Sequence, residues 1–120
     1  MISPLKVTTL FGQLEGGWAD ERQLVRVFKG VPFARPPVGE LRFKPPQAPQ
    51  NWDGVRAATT FSAACWQQYS RNAFVWSRGE FPRSEDCLYL NIWAPTDQDR
   101  PLPVMVWFHG GAHTGGYAHV

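Results

Sequence analysis

Residues 103–108, Pro-Val-Met-Val-Trp-Phe, are apolar without a polar break, and the chain then passes straight into His-Gly-Gly-Ala-His-Thr-Gly-Gly at 109–116. A strand with one wet face alternates apolar and polar residues, because successive side chains point to opposite sides of the sheet. A run that is apolar at every position leaves no face for water. It fits a strand covered on both sides, as in the central sheet of an α/β protein. The glycines that follow end that strand, since Gly110 and Gly111 admit backbone angles closed to residues with a Cβ. Successive N–H groups in such a turn can face one point and hold a negatively charged oxygen.

Composition places the rest of the chain around that feature. The 120 residues are 43% hydrophobic and 18% charged, in the range of one packed domain rather than a disordered segment. Eleven prolines and eleven glycines fall mostly between the apolar runs. Short elements joined by long ordered loops follow from that spacing. A net charge of +2, without a block of lysines and arginines, argues against a nucleic-acid partner. No apolar stretch is long enough for a membrane span, and the start Met1-Ile-Ser-Pro-Leu-Lys6 lacks the basic and apolar regions of a secretion signal. The expectation is a cytoplasmic protein without a membrane partner. Secreted or periplasmic placement stays open because the chain carries two cysteines, Cys65 and Cys87, whose redox state follows the compartment.

Along the chain, Lys6–Phe11 and Gly12–Gly17 read as a small strand pair bent at Gly12 within an antiparallel N-terminal sheet. Gln23–Lys29, rich in β-branched residues, reads as a further strand. From Gly30 to Trp52, Pro32, Pro36, Pro37, Pro45, Pro46 and Pro49 withhold backbone donors and fix φ. A winding clamp is expected there, anchored by Phe33, Leu41, Phe43 and Trp52. The segment between the cysteines has no sustained period and reads as an omega-type loop. Leu88–Ala94 alternates as a strand, and the turn-rich 95–101 connection is short enough for it to pair antiparallel with 104–108.

Several chemistries are disfavoured on pattern. A nucleophile elbow requires Gly-x-Ser-x-Gly, and none of Ser3, Ser62, Ser70, Ser77 and Ser84 has both glycines. Glu85 and Asp86 are adjacent, so on an extended chain they point apart and cannot serve one reacting bond. His109 and His113 have the spacing of metal ligands on a helix, but the glycines between them oppose a helix. A phosphate loop would need a lysine after its last glycine, where Tyr117 stands. No cofactor or metal is expected.

Three segments in register carry a resemblance: Phe28-Lys-Gly-Val-Pro-Phe-Ala-Arg-Pro-Pro-Val-Gly-Glu-Leu-Arg-Phe43, Ser84-Glu-Asp-Cys-Leu-Tyr-Leu-Asn-Ile-Trp93, and the terminal glycine loop. Together they resemble the N-terminal signatures of type B carboxylesterases, the α/β-hydrolase group that includes cholinesterases. The resemblance implies an α/β fold of which residues 1–120 are the N-terminal portion: a small antiparallel sheet and the first strands of a central sheet. It implies a serine-type carboxylic ester hydrolase acting through an acyl-enzyme, on a small-molecule ester. This part of the domain would supply the oxyanion hole, while the triad would come from the remainder. The 120 residues alone would then be inactive.

Carried over by position, Gly111 and Ala112 would be the backbone donors and His109 a support of their loop. His113 replaces the usual aromatic beside the acyl pocket. Trp76 would line the substrate gorge. Cys65 and Cys87 would close a loop of about 22 residues, worth roughly 3 kcal/mol if oxidised. Arg42 would pair with Glu85 as a lock between clamp and core. The same motifs also occur in catalytically silent, neuroligin-like adhesion proteins, and that alternative remains.

Overall fold

The computed structural model describes residues 3–68, 81–97 and 100–118, and two three-stranded sheets organise them. In the first, β1 (Lys6–Thr8) and β2 (Gln13–Glu15) form the expected hairpin, with Val7 opposite Leu14. Its turn is closed by Thr9, whose amide and hydroxyl both donate to the Gly12 carbonyl at 2.9 and 2.8 Å. Gly12 has φ +148°, and a Cβ there would come within 2.5 Å of the Trp52 indole. The bare backbone lets Trp52 lie across the turn, where its Nε1 donates to the Gln13 carbonyl at 2.8 Å.

Trp52 thereby brings its own segment beside β2. A strand at Val55–Ala57 is absent from the pattern reading because a short piece has no measurable period. It is a strand through pairing. As shown by the register Leu14 to Arg56, it runs parallel to β2. The first sheet is therefore mixed rather than antiparallel throughout.

With Val55–Ala57 of the first sheet as β5, the second sheet contains β3 (Gly17–Trp18), β4 (Val25–Pro32) and β6 (Tyr89–Pro95), in that order and all antiparallel. The β3–β4 connection is tied by Asp20, whose carboxylate accepts from Leu24 and Val25 amides at 3.2 and 2.7 Å. Strand β4 continues to Pro32, past the expected Lys29, by way of a bulge between Phe28 and Val31. Gly30 makes that bulge possible with φ +65°, and its amide donates to the Asn91 side chain on β6 at 2.9 Å. Such a bulge adds a residue to one strand and re-aims those beyond it.

Leu14, Phe28 and Ala58 form the buried cluster, 2%, 4% and 1% exposed, with Val7, Val31 and Trp52 against it. This cluster joins the two sheets, because Leu14 lies on β2 and Phe28 on β4.

Two expectations are corrected. Residues 101–110 form no strand, and β6 pairs with β4 instead of with 104–108. Val104, Met105, Val106, Trp107 and Phe108 are 69–91% exposed. An apolar run of this type becomes a strand only against neighbours, and none of the described strands pairs with it. The proline-rich clamp is also less anchored than expected: Phe33 is half exposed and Phe43 is 93% exposed, leaving Trp52 as the anchor packed on the core. The total accessible surface is 9720 Å². A compact chain of 13.6 kDa would expose about 6,600 Å² by the usual size scaling. Much apolar surface therefore lacks cover.

Candidate functional site

The glycine loop folds back on itself at the end of the exposed run. Gly111 O accepts from the Thr114 amide at 2.9 Å, the Gly115 amide at 3.2 Å and the Thr114 hydroxyl at 3.1 Å. Gly111 adopts φ +135°, and a Cβ at that position would overlap the Gly115 carbonyl. Gly116, at φ +113°, lies so close to the His109 ring and the Gly110 carbonyl that a side chain would collide with both. These glycines are thus required by close backbone approach, not only by the turn.

His109, Gly110, Gly111, Ala112, His113 and Gly115 line an open depression of about 210 Å³. Among the described residues, no acceptor is bonded to the amide of Gly111 or Ala112. Ala112 and His113 follow one another in the left-handed region, at φ 52° and 60°. Each non-glycine residue held there costs on the order of 1–2 kcal/mol, so surrounding contacts must enforce the shape. His109 Nδ1 lies 2.9 Å from the Gly110 carbonyl, a hydrogen bond when that nitrogen carries the proton. His113 is exposed at the rim.

Contacts from Gln67, Phe81 and Asn91 dock the loop on the body. The Gln67 carboxamide accepts from the Gly116 amide at 2.8 Å and donates to the Gly116 carbonyl at 2.9 Å. Tyr117 packs on Phe81 with ring centroids 3.8 Å apart, and Asn91 Nδ2 donates to the Ala118 carbonyl at 2.7 Å. Neither Gln67 nor Asn91 stands out in the sequence, since a lone amide residue has no period or spacing. Asn91 falls between Leu90 and Ile92, where the alternation of a strand marks it only as belonging to the opposite face.

Beneath the loop, Cys65 Sγ and Cys87 Sγ are 3.0 Å apart as free thiols. Burial, the neighbouring Cys65 and the carboxylates of Asp86 and Glu85 push the Cys87 thiol up to about 12. The flanking backbone is tied by an isolated parallel bridge from Ala64 to Arg83. Arg42 Nε donates to Glu85 Oε1, and its guanidinium also lies 4.9 Å from the centre of the Phe43 ring. Trp76, the expected gorge residue, lies outside the described residues. No metal-holding group of histidine, cysteine and carboxylate residues occurs among the described residues.

A second depression, about 310 Å³, is bordered by Arg35, Arg56, Asp86 and Tyr89. Its charges are already engaged: Arg35 donates to Gln47 at 3.1 Å, and Arg56 lies over the Trp52 and Tyr89 rings. Burial, followed by a hydrogen bond to Asp86, raises the Tyr89 hydroxyl above its ordinary value, with Arg56 opposing that shift. Such a site is a packed polar seam between clamp and core.

Comparison with known proteins gives a consistent result. The profile described as "Carboxylesterase family" matches residues 3–119. Pyrethroid hydrolase Ces2e of Rattus norvegicus is 44% identical over 97% of the chain, which covers 22% of that relative. Para-nitrobenzyl esterase of Bacillus subtilis (strain 168) is 44% identical over 88% of the chain and is covered over 21% of its own length. A solved structure of PNB esterase superposes with a TM-score of 0.82 at 43% identity, covering 95% of this chain and 23% of that one. The chain thus spans about a fifth of the length of the curated relatives it matches.

Proposed function

Because the chain belongs to the carboxylesterase family, we propose that it forms the oxyanion-binding part of a serine-type carboxylic ester hydrolase. The observation that carries this reading is the pair of amides at Gly111 and Ala112, bonded to no acceptor among the described residues, on the wall of an open depression at the end of a glycine-rich turn. In ester cleavage a serine oxygen attacks the carbonyl carbon, a histidine takes the serine proton, and the carbonyl oxygen becomes an anion. Backbone N–H groups stabilise that anion more than they stabilise the neutral ester, which is what lowers the barrier. Ala112 serves as well as glycine in this role, since the donor is its backbone.

The serine, acid and histidine come from residues outside these 120, as does the cover for the apolar run at 104–108. Residues 1–120 by themselves would bind the oxyanion side of the carbonyl but start no acyl transfer. The substrate is a small carboxylic ester. His113, at the rim of the depression, faces the side that receives it, Trp76 would be a further substrate contact, and the protein works in the cytoplasm without a membrane or nucleic-acid partner.

The test is made on the complete polypeptide that carries these residues. It should hydrolyse a short-chain nitrophenyl ester and be labelled covalently by a fluorophosphonate. Replacing Ala112 with lactic acid exchanges its N–H for an ester oxygen and should lower kcat by about 10²–10³. Absence of both hydrolysis and labelling would instead indicate the catalytically silent relative, and an unchanged kcat with lactic acid at 112 would remove this loop from the mechanism.

A further inference from the structure

Among the described residues, Gln67 makes a two-point contact with the glycine loop. Its carboxamide engages both backbone polar groups of Gly116 at once, accepting at 2.8 Å and donating at 2.9 Å across 49 residues of sequence. Exchanging the oxygen and nitrogen of the side chain would set donor against donor and acceptor against acceptor, so the bonding pattern fixes its orientation. The same Nε2 lies 3.2 Å from the Cys65 carbonyl, and Arg83 donates to the Gln67 carbonyl. Gln67 is thus held on the body by its own backbone while its side chain grips the loop.

We infer that Gln67 is a positioning residue for the oxyanion-binding turn: by holding Gly116 it keeps the Gly111 and Ala112 amides aimed at the reacting carbonyl. This rests on the function proposed above. The path is short and contiguous. Gly116 packs on the His109 ring and the Gly110 carbonyl, while Gly111 is bonded through its carbonyl to Thr114 and Gly115. Residues 111–116 consequently move as one unit. The other two docking contacts, from Phe81 to Tyr117 and from Asn91 to Ala118, hold the chain only after Gly116. On the other side, residues 101–110 have no strand ladder. Among the described residues, Gln67 is therefore the side chain whose contact reaches the turn itself. Its grip also counters the tendency of Ala112 and His113 to leave the left-handed region.

The experiment compares Gln67→Leu and Gln67→Glu in the complete polypeptide. Leucine removes both bonds, and kcat for the nitrophenyl ester should fall about tenfold with KM within about twofold, as expected when an interaction acts in the transition state. Affinity for a trifluoromethyl ketone, which forms an oxyanion adduct, should weaken by a similar factor. Glutamate keeps the acceptor for the Gly116 amide and should restore part of kcat. Folded Gln67→Leu enzyme with unchanged kcat and unchanged ketone affinity overturns the inference. Should the leucine variant fail to fold, full kcat and ketone affinity in Gln67→Glu overturn it equally. The substitution of lactic acid at 112 separates the two levels. If it abolishes activity while the Gln67 variants behave as wild type, only the positioning role fails; if it changes nothing, the oxyanion reading fails and takes this role with it.

Discussion

Leu14 and Val106 are both apolar strand-type residues, yet one is 2% exposed and the other 69%. The difference lies in where their partners come from. Leu14 sits in a hairpin whose mate is a few residues away, and Trp52, Phe28 and Ala58 complete its surroundings from nearby segments. Val106 belongs to a run that asks for cover on both faces. The described residues give it none. Burial of an apolar side chain is worth about 1.5–3 kcal/mol, so the N-terminal region collects this stabilisation within itself while residues 104–108 wait for a neighbour.

The largest expected effect tests the self-contained side of this contrast. In the complete polypeptide, Leu14→Ala should destabilise by about 2–5 kcal/mol in urea unfolding, the cost of a buried cavity. A loss under about 1 kcal/mol would mean that the small core is not where the N-terminal stability resides.

The dependent side is tested by the 120 residues expressed alone. They should self-associate and bind a hydrophobic dye through the exposed run, and replacing Val104 and Val106 with lysine should suppress both. A monodisperse chain that excludes dye would break the comparison, because it would show the run covered from within.

Next comes Gly30→Ala at the bulge, expected to cost about 1–2 kcal/mol. Its φ of +65° disfavours a Cβ, which would also lie 2.6 Å from the Ser62 hydroxyl. Thermal unfolding with no change in midpoint would show that the β4–β6 seam can shift freely.

The thiols give a pH-dependent prediction. In the reduced protein, Cys87 keeps its proton from its ordinary 9.0 up to about 12. Between those limits the folded state binds a proton that the unfolded chain has released, so stability falls as pH rises through this window. Below 9 the group makes no difference. Alkylation at pH 8.5 should reach exposed Cys65 before half-buried Cys87, and mass mapping that found the reverse order would contradict this arrangement. Oxidation to a bridge would abolish the pH effect.

The smallest effect is expected at Arg42→Ala. The pair with Glu85 is more than a third exposed on both sides, so its removal should cost no more than about 1 kcal/mol. A double-mutant cycle with Glu85→Ala measures that coupling directly.

The sequence was most legible where structure is local. Gly12 marked its turn, Gln23–Lys29 marked the start of β4, and the alternation of Leu88–Ala94 marked β6, because period and turn chemistry are properties of neighbouring residues. Partner choice was less legible. The short 95–101 connection favoured pairing β6 with 104–108, but Asn91 on β6 instead meets the Gly30 bulge from a distance of 61 residues. Strand Val55–Ala57 was invisible for the same reason. At the site, the glycines announced a tight turn, whereas Gln67 carried no signal because its role depends on a residue 49 positions away.

By itself, the sequence determined the family, the glycine turn and the extended character of most of the chain, since each is written in adjacent residue types and motif order. Only the tertiary structure decided that β2 gains a parallel neighbour, that Ala112 and His113 are held left-handed, and that an amide side chain grips Gly116. These depend on close approach between distant segments. Such approach is set by packing and hydrogen-bond satisfaction over the whole fold, which no local pattern of residues encodes.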